Sequence, residues 1–202
     1  MMTPKKTRLD NSTRFTVIVA LAALTFACGG GSGSGGGNNN GGITTSTFTA
    51  DNGSPGNNTI SMSAGSSSGT MFSIDVLVTG INDFFGAEFD VTYNEAALNF
   101  VSIDSSTSLL NGQAVGTDFR VLAQNGVVQV TATLQGQAPG VDVAASQTLV
   151  RLNFNGTAAT ANSAIAFSSP TVDQCPDGGP PLPACTDISG TLTFSGGRVT
   201  VN

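Results

Sequence analysis

The chain has no histidine and no tryptophan, and Tyr93 is its one tyrosine. Imidazole proton transfer is thereby excluded, and so is any ligand mode resting on an indole platform. Charge is scarce as well, since Asp, Glu, Lys and Arg make up 10% of 202 residues. Four of the seven basic residues and one of the thirteen acids precede Cys28. The rest of the chain keeps three Arg, no Lys and twelve acids, a formal charge of −9. So acidic a surface repels phosphate backbones, and no nucleic-acid partner is expected. Beyond Cys28 no Lys remains to form a Schiff base. No apolar run reaches the roughly 20 residues that a membrane-spanning helix needs.

What is present begins with the longest such run, the thirteen largely apolar residues from Phe15 to Ala27, behind Lys5, Lys6, Arg8 and Arg14. Charge followed by a short apolar core is the order of a secretory signal. Next come Cys28 and the tract GGGSGSGGGNNNGG (29–42), in which no side chain is able to build a core. Folding can start only near Ile43. The expected organisation is a signal at 1–27, a mostly disordered tether at 28–57 and one folded domain at 58–202. The stretch Leu24-Thr25-Phe26-Ala27-Cys28 resembles the bacterial lipobox, with its Leu one position earlier than usual. That resemblance implies that Cys28 is lipidated and becomes the first residue of an exported protein. Such a protein is anchored to the outer membrane or cell surface of a bacterium and touches the membrane only through its lipid. Fourteen flexible residues reach roughly 20 Å, enough to hold a domain clear of a bilayer.

The other two cysteines, Cys175 and Cys185, lie in DQCPDGGPPLPACTD. An exported chain meets an oxidising compartment, so a disulfide within this loop is expected. Closing so short a loop contributes on the order of 3 kcal/mol in the chain-entropy model. Two cysteines without histidine make a poor zinc site. Asp173, Asp177 and Asp187 around the loop are of the ligand type that calcium takes. They are read as a solvated acidic loop, with calcium as the alternative. No cofactor is expected.

From Thr59 onward the dominant period is two. Phe72, Ile74, Val76 and Val78 alternate with Ser73, Asp75, Leu77 and Thr79, and Ala87, Phe89, Val91 and Tyr93 alternate with Glu88, Asp90 and Thr92. The same pattern recurs at 127–134 and 150–154. Alternation of this kind turns one face of each strand to a core and the other to water. Gly80 to Asp83, Gln124-Asn125-Gly126, Gly136 to Gly140 and Asn155-Gly156 are turn signals between them. Further short strands fit 98–103, 119–123, 163–168 and 190–201, the last with a bulge at Gly196-Gly197. Only Asn94 to Leu98 reads as helical, for about one turn. Eight or nine short strands at this spacing make an all-β sandwich. Most Phe residues sit on the inward parity and read as core.

The stretch from Gly86 through Tyr93-Asn94-Glu95 to Phe100-Val101-Ser102 resembles the third-strand signature of cohesin domains. Their pattern is a Gly, an alternating strand ending in Tyr-Asp/Asn-Pro, a short turn with Leu, then a Phe-Val strand. Leu149 to Phe154 and the closing Gly197 to Val201 also fit, so the resemblance covers about 58–202. It departs at Glu95, where the family commonly has Pro, and at the insertion 173–187. The resemblance implies a nine-stranded jelly-roll β-sandwich whose family role is to dock calcium-loaded dockerin modules. It also implies a binding face that includes the third strand, whose outward residues here are Glu88, Asp90 and Thr92. The plainer reading of those three is the solvated side of a strand.

The expected function is therefore a surface-tethered, non-catalytic module with a dockerin-like protein partner. The alternative is a carbohydrate-binding module linked to polysaccharide binding or degradation. Sugar stacking wants exposed Trp or Tyr, and here only Phe84 or Phe85 would substitute. Glu88 and Asp90, about 7 Å apart on one strand face, fall in the inverting-glycosidase range. Without a cleft or aromatic subsites they read as solvation, and no catalytic residue is expected.

Overall fold

A computed structural model describes residues 42–176 and 185–202. Thirteen strands follow in chain order: β1 (Ser46–Ala50), β2 (Thr59–Ser68), β3 (Met71–Thr79), β4 (Ile81–Thr92), β5 (Leu98–Asp104), β6 (Thr117–Gln124), β7 (Val127–Leu134), β8 (Val141–Val143), β9 (Gln147–Gly156), β10 (Thr160–Gln174), β11 (Thr186–Asp187), β12 (Thr193–Ser195) and β13 (Gly197–Val201). A single 3-10 turn, Ser189–Thr191, separates β11 from β12. The strands form two sheets, as the period-two pattern requires. One has eight strands in the order β1-β13-β10-β4-β7-β6, with β11 beside β10 and β8 beside β4; the other has five, β12-β2-β3-β9-β5.

The sandwich exists because alternate residues of each strand are apolar and meet between the sheets. Ile74, Val76 and Val78 of β3 are buried, as are Phe89 and Val91 of β4, Val128, Val130 and Ala132 of β7, and Leu152 and Phe154 of β9. Phe154 is the centre of an aromatic group, with ring centroids 5.6 Å from Phe72, 5.4 Å from Tyr93 and 5.5 Å from Phe100. Deleting such a ring costs about 3–5 kcal/mol, through lost transfer energy and the cavity left behind. Outside the five-stranded sheet, Arg151 donates to both carboxylate oxygens of Asp75 across the β3–β9 pair, at 2.6 and 3.1 Å. Hydrogen bonding to Asp75 raises the Arg151 pKa further above its ordinary value.

The strand count exceeds the expected nine by the short pieces β1, β8, β11 and β12. β1 lies inside the stretch assigned to the tether, and the domain boundary moves forward accordingly. Phe48 is the one large side chain of β1 and is buried, while β1 pairs along its whole length with β13, from Ser46 opposite Val201 to Ala50 opposite Gly197. First and last strands therefore lie side by side, tied also by Thr45 N–H to Asn202 O at 3.1 Å and Asn202 N–H to Thr45 O at 2.9 Å.

The expected strand 190–201 is also two strands rather than one bulged strand. β12 runs parallel to β2 in the five-stranded sheet, and β13 is antiparallel to β1 and β10 in the other. Gly196 is where the chain changes sheets. A Cβ there would strike the carbonyl oxygen of Ile165, so the crossing needs the one residue without a side chain. Asn94 to Leu98 forms a single turn, with Ala97 N–H and Leu98 N–H both donating to Asn94 O.

Candidate binding face

β4 lies between β10 and β7 in the eight-stranded sheet. Its alternation buries Ala87, Phe89 and Val91 and turns Glu88, Asp90 and Thr92 outward, as the sequence parity requires. It is the fourth strand of the chain, since β1 precedes the strands counted from sequence. Cross-strand neighbours complete the surface. Glu88 lies opposite Thr171 on β10 and Thr131 on β7, Asp90 opposite Ser168 and Gln129, and Thr92 opposite Ala166 and Val127. Thr92 Oγ1 donates to Ala166 O at 3.2 Å, so its hydroxyl is partly engaged. Glu88 is exposed and Asp90 half-buried.

β6 extends the surface to the sheet edge, with Arg120 opposite Thr131 and Leu122 opposite Gln129. Leu122, at 53% exposure, is the most exposed of the large apolar side chains among the described residues. Sequence reasoning passed over it. The signal was there: Phe119 and Val121 share the parity that faces buried Ala132 and Val130, although Val121 stays exposed at the sheet edge, and this puts Leu122 on the outward side opposite Gln129, with Asp90 one strand further on.

The net charge of this side is negative, since Arg120 is offset by Asp118. Among the described residues each Arg is already paired with an Asp: Arg120 with Asp118 at 2.7 Å, Arg151 with Asp75 at 2.6 Å and Arg198 with Asp51 at 3.5 Å. Among the described residues Glu88 and Asp90 have no such neutraliser. Asp173 of β10 lies opposite both Gly86 of β4 and Asp187 of β11, so it is a diagonal neighbour of Glu88 on the same side.

Asp187 accepts from the backbone N–H and hydroxyl of Ser189, and the hydroxyl bond, then the backbone bond, pull its pKa below the ordinary carboxylate value. No group of three or more His, Cys, Asp or Glu able to hold a metal occurs among the described residues. Asp177, the third calcium candidate, lies outside them, as does Cys28. A disulfide joins Cys175 to Cys185. Cys175 is fully buried, with its N–H donating to Asp83 O and its carbonyl accepting from Gly140 N–H, both at 2.9 Å.

Neither Phe proposed for sugar stacking is exposed. Phe84 is fully buried and Phe85 half-buried against the core, because β4 kinks at Asp83 (φ 51°) where its pairing with β8 shifts register.

The signature stretch from Gly86 to Ser102 read from sequence begins on β4 of this sheet, with its carboxylates outward, passes through the Asn94 turn and ends on β5 of the other sheet. A cohesin-domain profile matches residues 57–175, more than half of the chain, and the protein belongs to the cohesin family. The match ends at Cys175, so β11, β12 and β13 lie beyond it. Among solved structures, a type II cohesin domain from the cellulosome of Acetivibrio cellulolyticus is similar at 13% identity and a TM-score of 0.50. That match covers 79% of this chain and 95% of that one. The sixth cohesin of scaffoldin B from the same organism, solved in complex with a Cel5 dockerin mutant, is 18% identical with a TM-score of 0.49, over 74% of this chain and 94% of that one. A cohesin module from a Clostridium perfringens family 33 glycoside hydrolase is 16% identical with a TM-score of 0.43, over 79% and 93%. No curated protein sequence matches the chain.

Proposed function

We propose that this cohesin domain is a non-catalytic docking module, and that its partner is a dockerin-like protein module seated on the outer side of β10, β4, β7 and β6. The observation that carries the reading is the pairing of charges. All three Arg of the folded domain are held by their own Asp neighbours, which leaves Glu88 and Asp90 without a basic partner on the same side of the sheet as the exposed Leu122, two strands away. Unneutralised carboxylates on the central strand steer a basic or calcium-bearing partner, and an exposed apolar side chain on the same side gives it an anchor. Several relatives of this fold were solved with dockerins bound.

The test is capture of a purified dockerin module on the immobilised domain, with and without calcium. Calcium-dependent binding that weakens as salt rises supports the reading. A domain that captures no dockerin at micromolar concentration overturns it.

The same proposal holds the module at a bacterial surface through lipid on Cys28, with the Gly-rich tract as spacer. Metabolic labelling with a fatty-acid analogue should mark the wild type and not Cys28→Ala. Equal labelling of both removes the anchor from the proposal.

A further inference from the structure

The one feature of the family signature on which this chain departs, Glu95, has a location that the docking reading leaves unused. It lies beyond the end of β4, where Tyr93, Glu95, Asn99 and Thr157 wall an open depression of about 610 Å³ with Ala96 and Leu98. Small-molecule sites span about 300–1,000 Å³ and combine apolar lining with a few convergent polar groups.

The turn does not need Glu95. Asn94 supplies its local bonds: its carboxamide oxygen accepts from Ala96 N–H at 3.1 Å, and its carbonyl from Ala97 and Leu98. The Glu95 side chain is thus left for solvent or a ligand. The walls are fixed by the backbone. Tyr93 N–H donates to Gly126 O, and Thr157 N–H to Ala97 O, both at 2.8 Å. The Tyr93 ring is held edge-on against Phe154 at 5.4 Å and stays half-exposed. Glu95, Asn99 and Thr157 are exposed, and among the described residues no hydrogen bond or ion pair engages the four side chains. The backbone of the site is preorganised, while the free side chains leave their hydrogen-bonding capacity for a ligand at the cost of being ordered by it.

We propose that this depression binds a neutral, hydroxyl-rich ring, that is, a saccharide unit. The donor and acceptor inventory selects that class. Tyr93 and Thr157 hydroxyls both donate and accept, the Asn99 carboxamide does both, and Glu95 accepts. Vicinal hydroxyls, each a donor and an acceptor, match all four. An ammonium group would satisfy Glu95 and the aromatic ring but would bring no acceptor for the Asn99, Tyr93 and Thr157 donors. The site is separate from the sheet face and does not depend on a protein partner.

Tyr93 is the only tyrosine in a chain without tryptophan, so intrinsic tyrosine emission reports this depression alone. The experiment titrates the full chain with cellohexaose, xylohexaose and mannohexaose, and separately with tetramethylammonium chloride. A saturable change in emission with at least one hexasaccharide is expected, together with none from tetramethylammonium. Asn99→Ala and Glu95→Pro, checked for an unchanged melting temperature, should weaken the titration tenfold or more. If Glu95→Pro fails to fold, Asn99→Ala carries the test. Glu88→Lys with Asp90→Lys should leave the titration unchanged, which separates this site from docking. No saturable response to any hexasaccharide, a response unaltered in Asn99→Ala, or saturation by tetramethylammonium instead would overturn the proposal.

Discussion

Asp173 and Asp187 face each other across the β10–β11 pair, Gln174 and Thr186 form the next rung, and the disulfide of Cys175 and Cys185 follows directly. Like charges directly opposite destabilise a ladder, and β11 has only two residues with which to resist. Two further bonds help: Ile188 N–H donates to Val172 O at 2.9 Å, and Val172 N–H to Ser189 Oγ at 2.7 Å. The covalent link is the principal fastener of this hairpin.

Replacing both cysteines with serine should therefore lower stability by on the order of 3 kcal/mol, the chain-entropy value for a loop of this length. The transition midpoint in urea measures it. Adding Asp173→Asn to the double-serine variant should recover a few tenths of a kcal/mol. No recovery would mean that the two carboxylates do not repel each other appreciably across the pair.

Acid should loosen the same hairpin. The Asp187 pKa is lowered by its bonds from Ser189, and that of Asp104 by its bonds from Ser106. A carboxyl lowered in the folded state contributes stability that is complete above its unfolded value. That contribution is lost as pH falls through the folded one. The loss should begin near pH 4 and deepen below it. Ser189→Ala should flatten this acid-side slope, read from denaturation midpoints at a series of pH values.

The docking surface separates binding from folding within two adjacent positions. Glu88→Lys with Asp90→Lys should leave the melting transition nearly in place, because both side chains point away from the core and surface substitutions usually change stability by less than about 0.5 kcal/mol. Dockerin affinity should fall tenfold or more, chiefly through a slower on-rate. Phe89→Asp should unfold the domain, since the side chain is 1% exposed and a carboxylate there has no partner. Wild-type affinity in the double-Lys variant, on a monomeric and cooperatively melting sample, would place the partner on another surface.

The ion pairs should differ in worth according to burial. Asp75 and Arg151 are 16% and 33% exposed, and Asp51 and Arg198 are 50% and 59% exposed. Asp75→Ala leaves the guanidinium half-buried without its two bonds and should cost about 1–3 kcal/mol, with little dependence on salt. Asp51→Ala should cost less than about 1 kcal/mol and should be screened out at high ionic strength. Thermal unfolding at two salt concentrations separates the two.

Parity made the centre of each sheet readable. The alternation from Ala87 to Thr92 assigned Glu88, Asp90 and Thr92 to the outside and Phe89 to the core because side-chain direction in a strand is local. Pairing partners are not local, and there the sequence was silent. Gly196-Gly197 marked a break and was read as a bulge, and nothing in Thr193 to Val201 announces that β12 and β13 belong to different sheets, since alternation persists on both sides of Gly196. β1 escaped notice because Phe48 is its only bulky residue, and its place depends on β13, some 150 residues away. Tyr93 was correctly put inward, against Phe154. That its outer edge lines a depression with Glu95 and Thr157 depends on a turn and on the end of β9, which meet only in three dimensions.

The side-by-side placement of β1 and β13 makes the order of the strands along the chain nearly cyclic. Thr45 and Asn202 already exchange backbone hydrogen bonds, so a peptide of a few residues would join the two ends without moving either strand. The backbone could then be opened between Ala144 and Ala145, which are exposed in the turn between β8 and β9, with every ladder intact. A circularly permuted chain of that kind would begin and end at the β8–β9 turn instead of beside β1 and β13, and anything fused to its termini would meet the same surfaces from a different direction.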